Sequence, residues 1–441
     1  MDFIVRRTRN VKGEIKAGGD KSLTHRGLIL GALSRGTTNL SGYSRGQDCR
    51  STMDVLRGLG VEIQESAGTC TIKGRGDNEF LEPAEVLDCG NSGTTMRLAA
   101  GLLAGRPFTS VLTGDDSLRS RPMDRVIGPL RMMGANIRSL SGTKYAPLVV
   151  TGASLHGMTY TMSVASAQVK SSILLAGLQA EGETTVIEPV ATRDHTERMF
   201  EFFGADIRRA DPGRITVTGR KGLNSQNLCL PGDISSAAFF LVLAAVAPSG
   251  MVRIRGVGVN PGRTGIVEVL QAMGAGIGLE NERLAGGEPV ADLMARPAAL
   301  RAVELGGPLI PRIIDEIPVL AVAATQASGK TVIRDAGELR FKETDRIKAI
   351  VEGLGRMSAR IRETEDGMVI EGPTRLKAAR VDSRHDHRIA MALAIAGLIA
   401  DGETLVRSAD CVAISCPDFS ERIMTIAGVD TITESGEGKD Q

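Results

Sequence analysis

Six stretches of the chain are apolar on every side and built largely from small residues. They read HRGLILGALSRG from His25, MRLAAGLLAG from Met96, SSILLAGLQAEG from Ser171, SSAAFFLVLAAVAPSG from Ser235, IPVLAVAATQASG from Ile317 and RIAMALAIAGLIADG from Arg388. That pattern predicts buried helices that pack closely. Each runs into an alternating phrase such as ETTVIEPV, KTVIRDAG or ETLVRSAD, which predicts a strand. A polar loop follows, then an amphipathic helix such as DRVIGPLRMMGA or DRIKAIVEGLG. A short closing phrase ends each cycle: LGVEI at Gly60, MGANI at Gly134, FGADI at Gly204, MGAGI at Gly274, MSARI at Ser358 and AGVDTI at Gly428. The period is roughly 70 to 84 residues, longer than the common solenoid repeats, so compact units are expected rather than one superhelix. The expectation is an α/β chain of six repeated units, three per domain. The phrases GEIKAGGDKS and NLCLPGDISS look like matching crossings between the halves. They place one domain over 18–232 and the other over 1–17 with 233–441.

The loops that open the apolar helices carry the unusual residues. GGDKSLTHR, Gly18 to Arg26, has the look of a phosphate loop, but Gly19 and Asp20 put Lys21 out of the Walker register. Ser22 reads as the cap of the helix it opens. Lys21, His25 and Arg26 then crowd a helix start, where cations oppose the helix dipole unless an anion binds there. Equivalent loops supply Asn91, Gly93 and Arg97; Ser166, Gln168 and Lys170; Asp315 and Glu316; and His385, Asp386, His387 and Arg388. Elsewhere in the units stand Arg119, Arg121 and Arg125, then Arg193, Asp194 and His195, then Lys342, Glu343, Asp345 and Arg346. Cations and carboxylates recurring at equivalent positions suit small, multiply anionic substrates.

Composition narrows the class. A chain of 441 residues needs more than one core. The net charge of +1 and the absence of Trp argue against a dedicated nucleic-acid binder. The longest apolar run, Ala237 to Ala247, is too short for a bilayer, and MDFIVRRTRN has no apolar signal core. Cysteines 49, 70, 89, 229, 411 and 416 show no zinc spacing and fit reduced thiols in a cytoplasm. No membrane or nucleic-acid partner and no metal are expected.

Ten segments in order resemble the EPSP synthase (3-phosphoshikimate 1-carboxyvinyltransferase) family of enolpyruvyl transferases. They are GGDKSLTHR, GNSGTTMRL, SRPMDRV, SAQVKSSILLAGL, TRDHTERM, PGDISSAAFFL, DEIPVLAVAA, FKETDRI, DHRIAMALAI and CPDF. The resemblance spans nearly the whole chain. It implies a two-domain inside-out α/β barrel that closes over its substrates, with three repeats per domain, and a monomer. It implies transfer of the enolpyruvyl group of phosphoenolpyruvate to the 5-hydroxyl of shikimate 3-phosphate, with release of phosphate, in the pathway to chorismate and the aromatic amino acids. It implies no organic cofactor and no metal, and it makes the chain a candidate glyphosate target.

The family pattern also implies roles. Asp315 is the base for the hydroxyl, and Glu343 and Lys21 are the proton carriers toward the enol and the leaving phosphate. Lys21, Arg121, Arg346 and Arg388 clamp phosphoenolpyruvate, Gly93 lets backbone approach it, and His387 is a further substrate-binding residue. Ser22, Arg26, Ser166, Ala167, Gln168, Arg193, Asp315 and Lys342 meet shikimate 3-phosphate. The chain departs from many members at Ser92 and Leu98, which flank the phosphoenolpyruvate pocket, and from some at Glu338. Ile414 stands where some carry a lysine, so the arginines are expected to bear more of the affinity. The sister transferases acting on UDP-N-acetylglucosamine usually place a cysteine before an Arg-Pro, whereas this loop reads TGDDSLRSRP. A repeat scaffold that binds partners has no need of cations and carboxylates at helix starts.

Overall fold

The computed structural model describes residues 1–76, 79–210 and 213–435. The chain divides into two compact units. One comprises Gly19–Pro231 with Leu284–Glu288; the other comprises Met1–Gly18, Gly232–Arg283 and Pro289–Gln441. Each has its own apolar core.

The fold is α/β, and its repeat is built around the six apolar helices: Lys21–Leu33, Gly93–Leu103, Ala167–Gly177, Ile234–Val246, Ile317–Gln326 and His387–Ile399. Residues on all their faces are buried, as helices without a polar stripe must be. Five begin on a side chain that accepts a backbone N–H of the first turn: Asp20, Ser92, Ser166, Asp233 and Asp386. At the first helix the cap is therefore Asp20 and not Ser22, which lies inside the first turn and is buried. The reason is spacing: Asp20 Oδ1 reaches the Leu23 N–H at 2.8 Å.

Among the described residues the strands form six four-stranded sheets. Within one repeat, Leu87–Asp88 and Thr109–Thr113 flank the Gly93–Leu103 helix and pair in parallel; Leu148–Thr151 returns antiparallel and pairs with Asn136–Ser139. The outer helices, such as Asp124–Met132 and Arg346–Arg356, bury one face only.

Two exchanges depart from a simple string of repeats. Val11–Lys16 precedes the Lys21 helix but pairs with Gly250–Gly258 of the later repeat. Asn227–Cys229 precedes the Ile234 helix but pairs with Arg35–Ser41 of the first. The crossings are tight. Asp20 N–H donates to Pro231 O at 2.9 Å, and Asp233 N–H to Gly18 O at 2.7 Å. A Cβ on Gly19 would lie 2.1 Å from Gly42 O, and one on Gly232 would lie 2.1 Å from the Ala17 Cβ, so neither position admits a side chain. In the last sheet Asp2–Arg6 lies between Glu403–Arg407 and Ile432–Ser435, antiparallel to both. Phe3 stacks on Phe419 there, ring centroids 6.3 Å apart.

Candidate active site

In the unit of residues 19–231 most candidate residues sit at the N-terminal ends of three central helices, and Arg121 and Arg193 come from loops. Lys21 is the first residue of its helix, and its Nζ lies 2.9 Å from Asp48 Oδ2, with both side chains largely buried. Arg26 is one turn further in and 3% exposed. Its guanidinium donates to Thr196 Oγ1 at 2.7 Å, Ser171 Oγ at 2.6 Å and Ser22 O at 2.9 Å. Burial first, and then the neighbouring Arg193, lower its pKa to about 10, which leaves it cationic at neutral pH. Arg193 reaches Ser22 Oγ at 3.3 Å. Ser22, Arg26 and Arg193 thus form one basic cluster with two hydroxyls behind it.

The second helix start holds Gly93 behind its cap Ser92. A Cβ on Gly93 would lie 2.7 Å from Arg97 Nη1 and 3.5 Å from Arg121 Nη1. Arg121 is aimed by Asn91 Oδ1 at 2.8 Å and Ser117 Oγ at 3.0 Å. At the third start Ser166 is the cap, Ala167 opens the helix, and Gln168 Nε2 donates to Thr94 Oγ1 at 2.8 Å. Gln168 therefore ties the third start to the second.

A buried hydrogen-bonded chain links the first start to the second. His25 Nδ1 meets Thr52 Oγ1 at 2.7 Å, Thr52 meets Thr95 Oγ1 at 2.7 Å, and Thr95 donates to Ser92 Oγ at 2.7 Å. Burial, with Lys21 and Arg26 alongside, holds the imidazole well below its ordinary pKa. Ser92, which departs from the family's common alanine, is the terminus of this chain. Leu98, the second departure, is a buried core residue of the same helix. Lys170 and His195 lie deeper. Lys170 is fully buried between Glu188 at 2.9 Å and Glu197 at 2.5 Å, and His195 Nδ1 meets Glu288 Oε1 at 2.8 Å. Burial raises the Glu188 pKa against the pull of Lys170.

The other unit holds the carboxylates. Asp315 Oδ1 lies 3.4 Å from Arg346 Nη1, 3.7 Å from Lys342 Nζ and 3.9 Å from Arg388 Nε. Arg388 Nη1 also donates to the Asp315 carbonyl at 2.9 Å. Glu316, not Asp315, occupies the cap position of the Ile317 helix, and it makes no side-chain cap bond. Asp315 is thus not a helix cap. Glu343 Oε2 accepts from Arg346 Nη2 at 2.5 Å, and Arg346 Nε donates to Asp386 Oδ2 at 2.8 Å. Burial works against the charge on Arg346, but Asp386, Glu343 and Asp315 together hold its pKa above the ordinary value. Glu316 is buried against Ser235 Oγ, Arg388 and Arg263, and burial raises its pKa. His387 is the buried first residue of the helix that Asp386 caps. Ile414 belongs to the apolar core, and Glu338 lies in the short 3-10 turn Gly337–Phe341.

One unit therefore holds Lys21, Ser22, Arg26, Gly93, Ser166, Ala167 and Gln168 on three helix starts, with Arg121 and Arg193 reaching in from loops. The other holds Asp315, Lys342, Glu343, Arg346, His387 and Arg388. Asp48, Ser171 and Thr196 were not among the sequence candidates. Of these only Ser171 has a sequence signal, as a polar residue opening an apolar stretch; Asp48 and Thr196 lie among other polar residues. Among the described residues no group of three or more His, Cys, Asp or Glu is placed to hold a metal ion, and no helix is long and apolar enough to cross a membrane. The six cysteines are free thiols, and only Cys229 is exposed.

Residues 5–423 match the family model described as EPSP synthase (3-phosphoshikimate 1-carboxyvinyltransferase). The chain is 51% identical over 418 residues to the 3-phosphoshikimate 1-carboxyvinyltransferase of Geobacter sp. strain M21, covering 95% of this chain and 97% of that one. It is 53% identical over 422 residues to that of Synechococcus elongatus, covering 95% and 94%. Its backbone superposes on the EPSP synthase structure from Acinetobacter baumannii with a TM-score of 0.87 and 43% identity, over 98% of this chain and 99% of that one.

Proposed function

The chain belongs to the EPSP synthase family, and from that premise we propose how its residues divide the transfer of an enolpyruvyl group from phosphoenolpyruvate to the 5-hydroxyl of shikimate 3-phosphate. The observation that carries the reading is the Asp315–Arg346–Glu343 arrangement: two carboxylates bracketing one buried guanidinium, with Lys342 and Arg388 beside them.

Shikimate 3-phosphate takes its phosphate to the basic cluster of Ser22, Arg26 and Arg193, with Ser166, the Ala167 backbone, Gln168 and Lys342 as further partners. Arg26 is suited to this because three neighbours already fix its fork, so little freedom is lost on binding. Phosphoenolpyruvate carries a phosphate and a carboxylate, matched by Lys21, Arg121, Arg346 and Arg388 with the Gly93 backbone alongside and His387 as a further substrate-binding residue. In the addition step the 5-hydroxyl oxygen bonds to the enol C2, its proton passes to Asp315, and C3 gains a proton from Glu343 or Lys21. In the elimination step C2 loses phosphate and C3 gives a proton back, which restores the enol. Cations around the carboxylates stabilise the charge that develops on the leaving phosphate. No organic cofactor or metal takes part. The enzyme acts as a cytoplasmic monomer.

Phosphate release, measured with both substrates on wild type and Asp315→Asn, tests the reading. Release that requires both substrates and collapses in the variant supports it. Release from phosphoenolpyruvate with UDP-N-acetylglucosamine instead, or none with either acceptor, removes it. Sedimentation velocity checks the monomer.

A further inference from the structure

The three central helices of residues 19–231 end, at their C-termini, on a second cavity. It has a volume of about 1070 Å³ and lies a helix length from the candidate site, roughly 17 to 20 Å for helices of this size. Its described lining carries Arg35, Arg75, Arg106 and Arg220 against one carboxylate, Glu79. We propose that this cavity is a binding site for a small molecule carrying two or more phosphate groups, separate from the catalytic residues.

The four arginines come from equivalent places in the repeats. Arg35 and Arg106 follow the first two central helices; Arg75 and Arg220 stand at the ends of returning strands. Gln179 takes the helix-following place in the third repeat. Arg106 is 2% exposed, stacked 4.5 Å over the Phe80 ring and anchored through Nε to Leu102 O at 3.2 Å. Arg75 donates to the Glu79 carbonyl at 2.8 Å, not to its carboxylate. Arg220 holds a left-handed backbone with φ 60, a conformation that favours glycine, and its only acidic contact among the described residues is Glu181 at 4.0 Å, on the surface.

A simpler account is that these arginines only neutralise the carbonyl ends of the helices. The other unit serves as an internal control. It has three central helices of the same kind, and the residues just after their caps are Pro248, Ser328 and Asp401. None is basic, and Asp401 is an acid at a helix C-terminus that recruits Arg7 and Arg375. Helix ends in this fold therefore do not require arginine. What distinguishes the cavity is a concave surface with an excess of forked cations and with Gly36 and Gly76 exposing backbone beside them. Arginine forks match phosphate oxygens two at a time, and the volume admits a molecule of nucleotide size.

Tripolyphosphate, free of magnesium, is the probe. It is titrated calorimetrically into the whole chain with shikimate 3-phosphate saturating. The comparison is with Arg35→Ser/Arg75→Ser/Arg220→Ser, and with the single Arg220→Ser, whose side chain is 58% exposed and whose folding is not in question. The expected result is one binding event, weakened at least tenfold in the triple variant and measurably in the single one, with kcat and both KM values unchanged. Equal affinity in wild type and both variants overturns the proposal. So does an absence of binding, or binding abolished by phosphoenolpyruvate, which would put the probe in the catalytic site.

Discussion

Arg346 and Asp386 form the innermost ion pair of the carboxylate cluster: Nε to Oδ2 at 2.8 Å, with the two side chains 2% and 0% exposed. The same aspartate caps the His387–Ile399 helix through the N–H groups of Arg388 and Ile389. One carboxylate therefore sets both the position of Arg388 and the direction of Arg346. Asp386→Asn keeps the cap but leaves a buried guanidinium with less charge to answer it, which costs about 3 kcal/mol or more. Denaturant unfolding is expected to show that loss, and the KM for phosphoenolpyruvate to rise with it. An unchanged unfolding midpoint would show that Glu343 and Asp315 alone suffice for Arg346.

Asp315→Asn separates chemistry from folding, because Asp315 is not the cap of its helix. The fold is expected to survive while kcat falls by roughly 100- to 10,000-fold, the usual worth of a positioned general base. Shikimate 3-phosphate affinity falls much less. Melting temperature, affinity and turnover measured on one preparation check this, and near-normal turnover would transfer the role to Glu343.

Gly93→Ala places a methyl group against the movable ends of Arg97 and Arg121, not against backbone. Stability should hardly change. The KM for phosphoenolpyruvate is expected to rise, and the inhibition constant for the bulkier glyphosate to rise more. Unaltered constants for both would move this position out of the pocket.

His25 predicts a pH dependence of stability. Its folded pKa is depressed by burial and by Lys21 and Arg26, with Thr52 the hydroxyl facing it. The unfolded chain therefore binds a proton that the folded one resists. The stability tied to this group is complete above pH 6.5, the ordinary imidazole value, and is lost as pH falls below it toward the folded pKa. His25→Asn can still hydrogen-bond Thr52 but does not titrate. Its melting temperature is expected to fall less than that of wild type between about pH 6.5 and 5. Parallel curves for the two proteins would show that His25 does not titrate differently on unfolding.

Thiol reactivity reads the core. Cys229 is the exposed cysteine among six, and burial raises the pKa of the others, Cys70 and Cys416 to about 12. A thiol reagent at neutral pH is expected to label one cysteine quickly and the rest only in denaturant. Rapid labelling at Cys49, beside Lys21, would reveal opening at the candidate site.

The repeat and its helices were legible because an all-apolar helix with a capped start is a local pattern. The candidate residues were legible because they cluster at those starts. What escaped was pairing. The Ser22 hydroxyl resembled a cap, but Asp20 two residues earlier has the better reach. Asp48 gave no signal, since its partner Lys21 is 27 positions away and only the folded packing of two helices joins them. The crossing phrases put residues 1–17 with the later half, but the strand partners of Val11–Lys16 and Asn227–Cys229 were silent, because each strand reads the same in either sheet.

The place of Asp2–Arg6 has a consequence for synthesis. They leave the ribosome long before the other members of their sheet, which begin at Arg380, yet they form an inner strand of it. At roughly 5 to 20 residues per second they wait tens of seconds for partners. Residues 19–231 meanwhile are a continuous segment that emerges whole. For this strand the order of birth and the order of completion are thus inverted. A bulky tag fused ahead of Asp2 would burden the last folding event rather than the first.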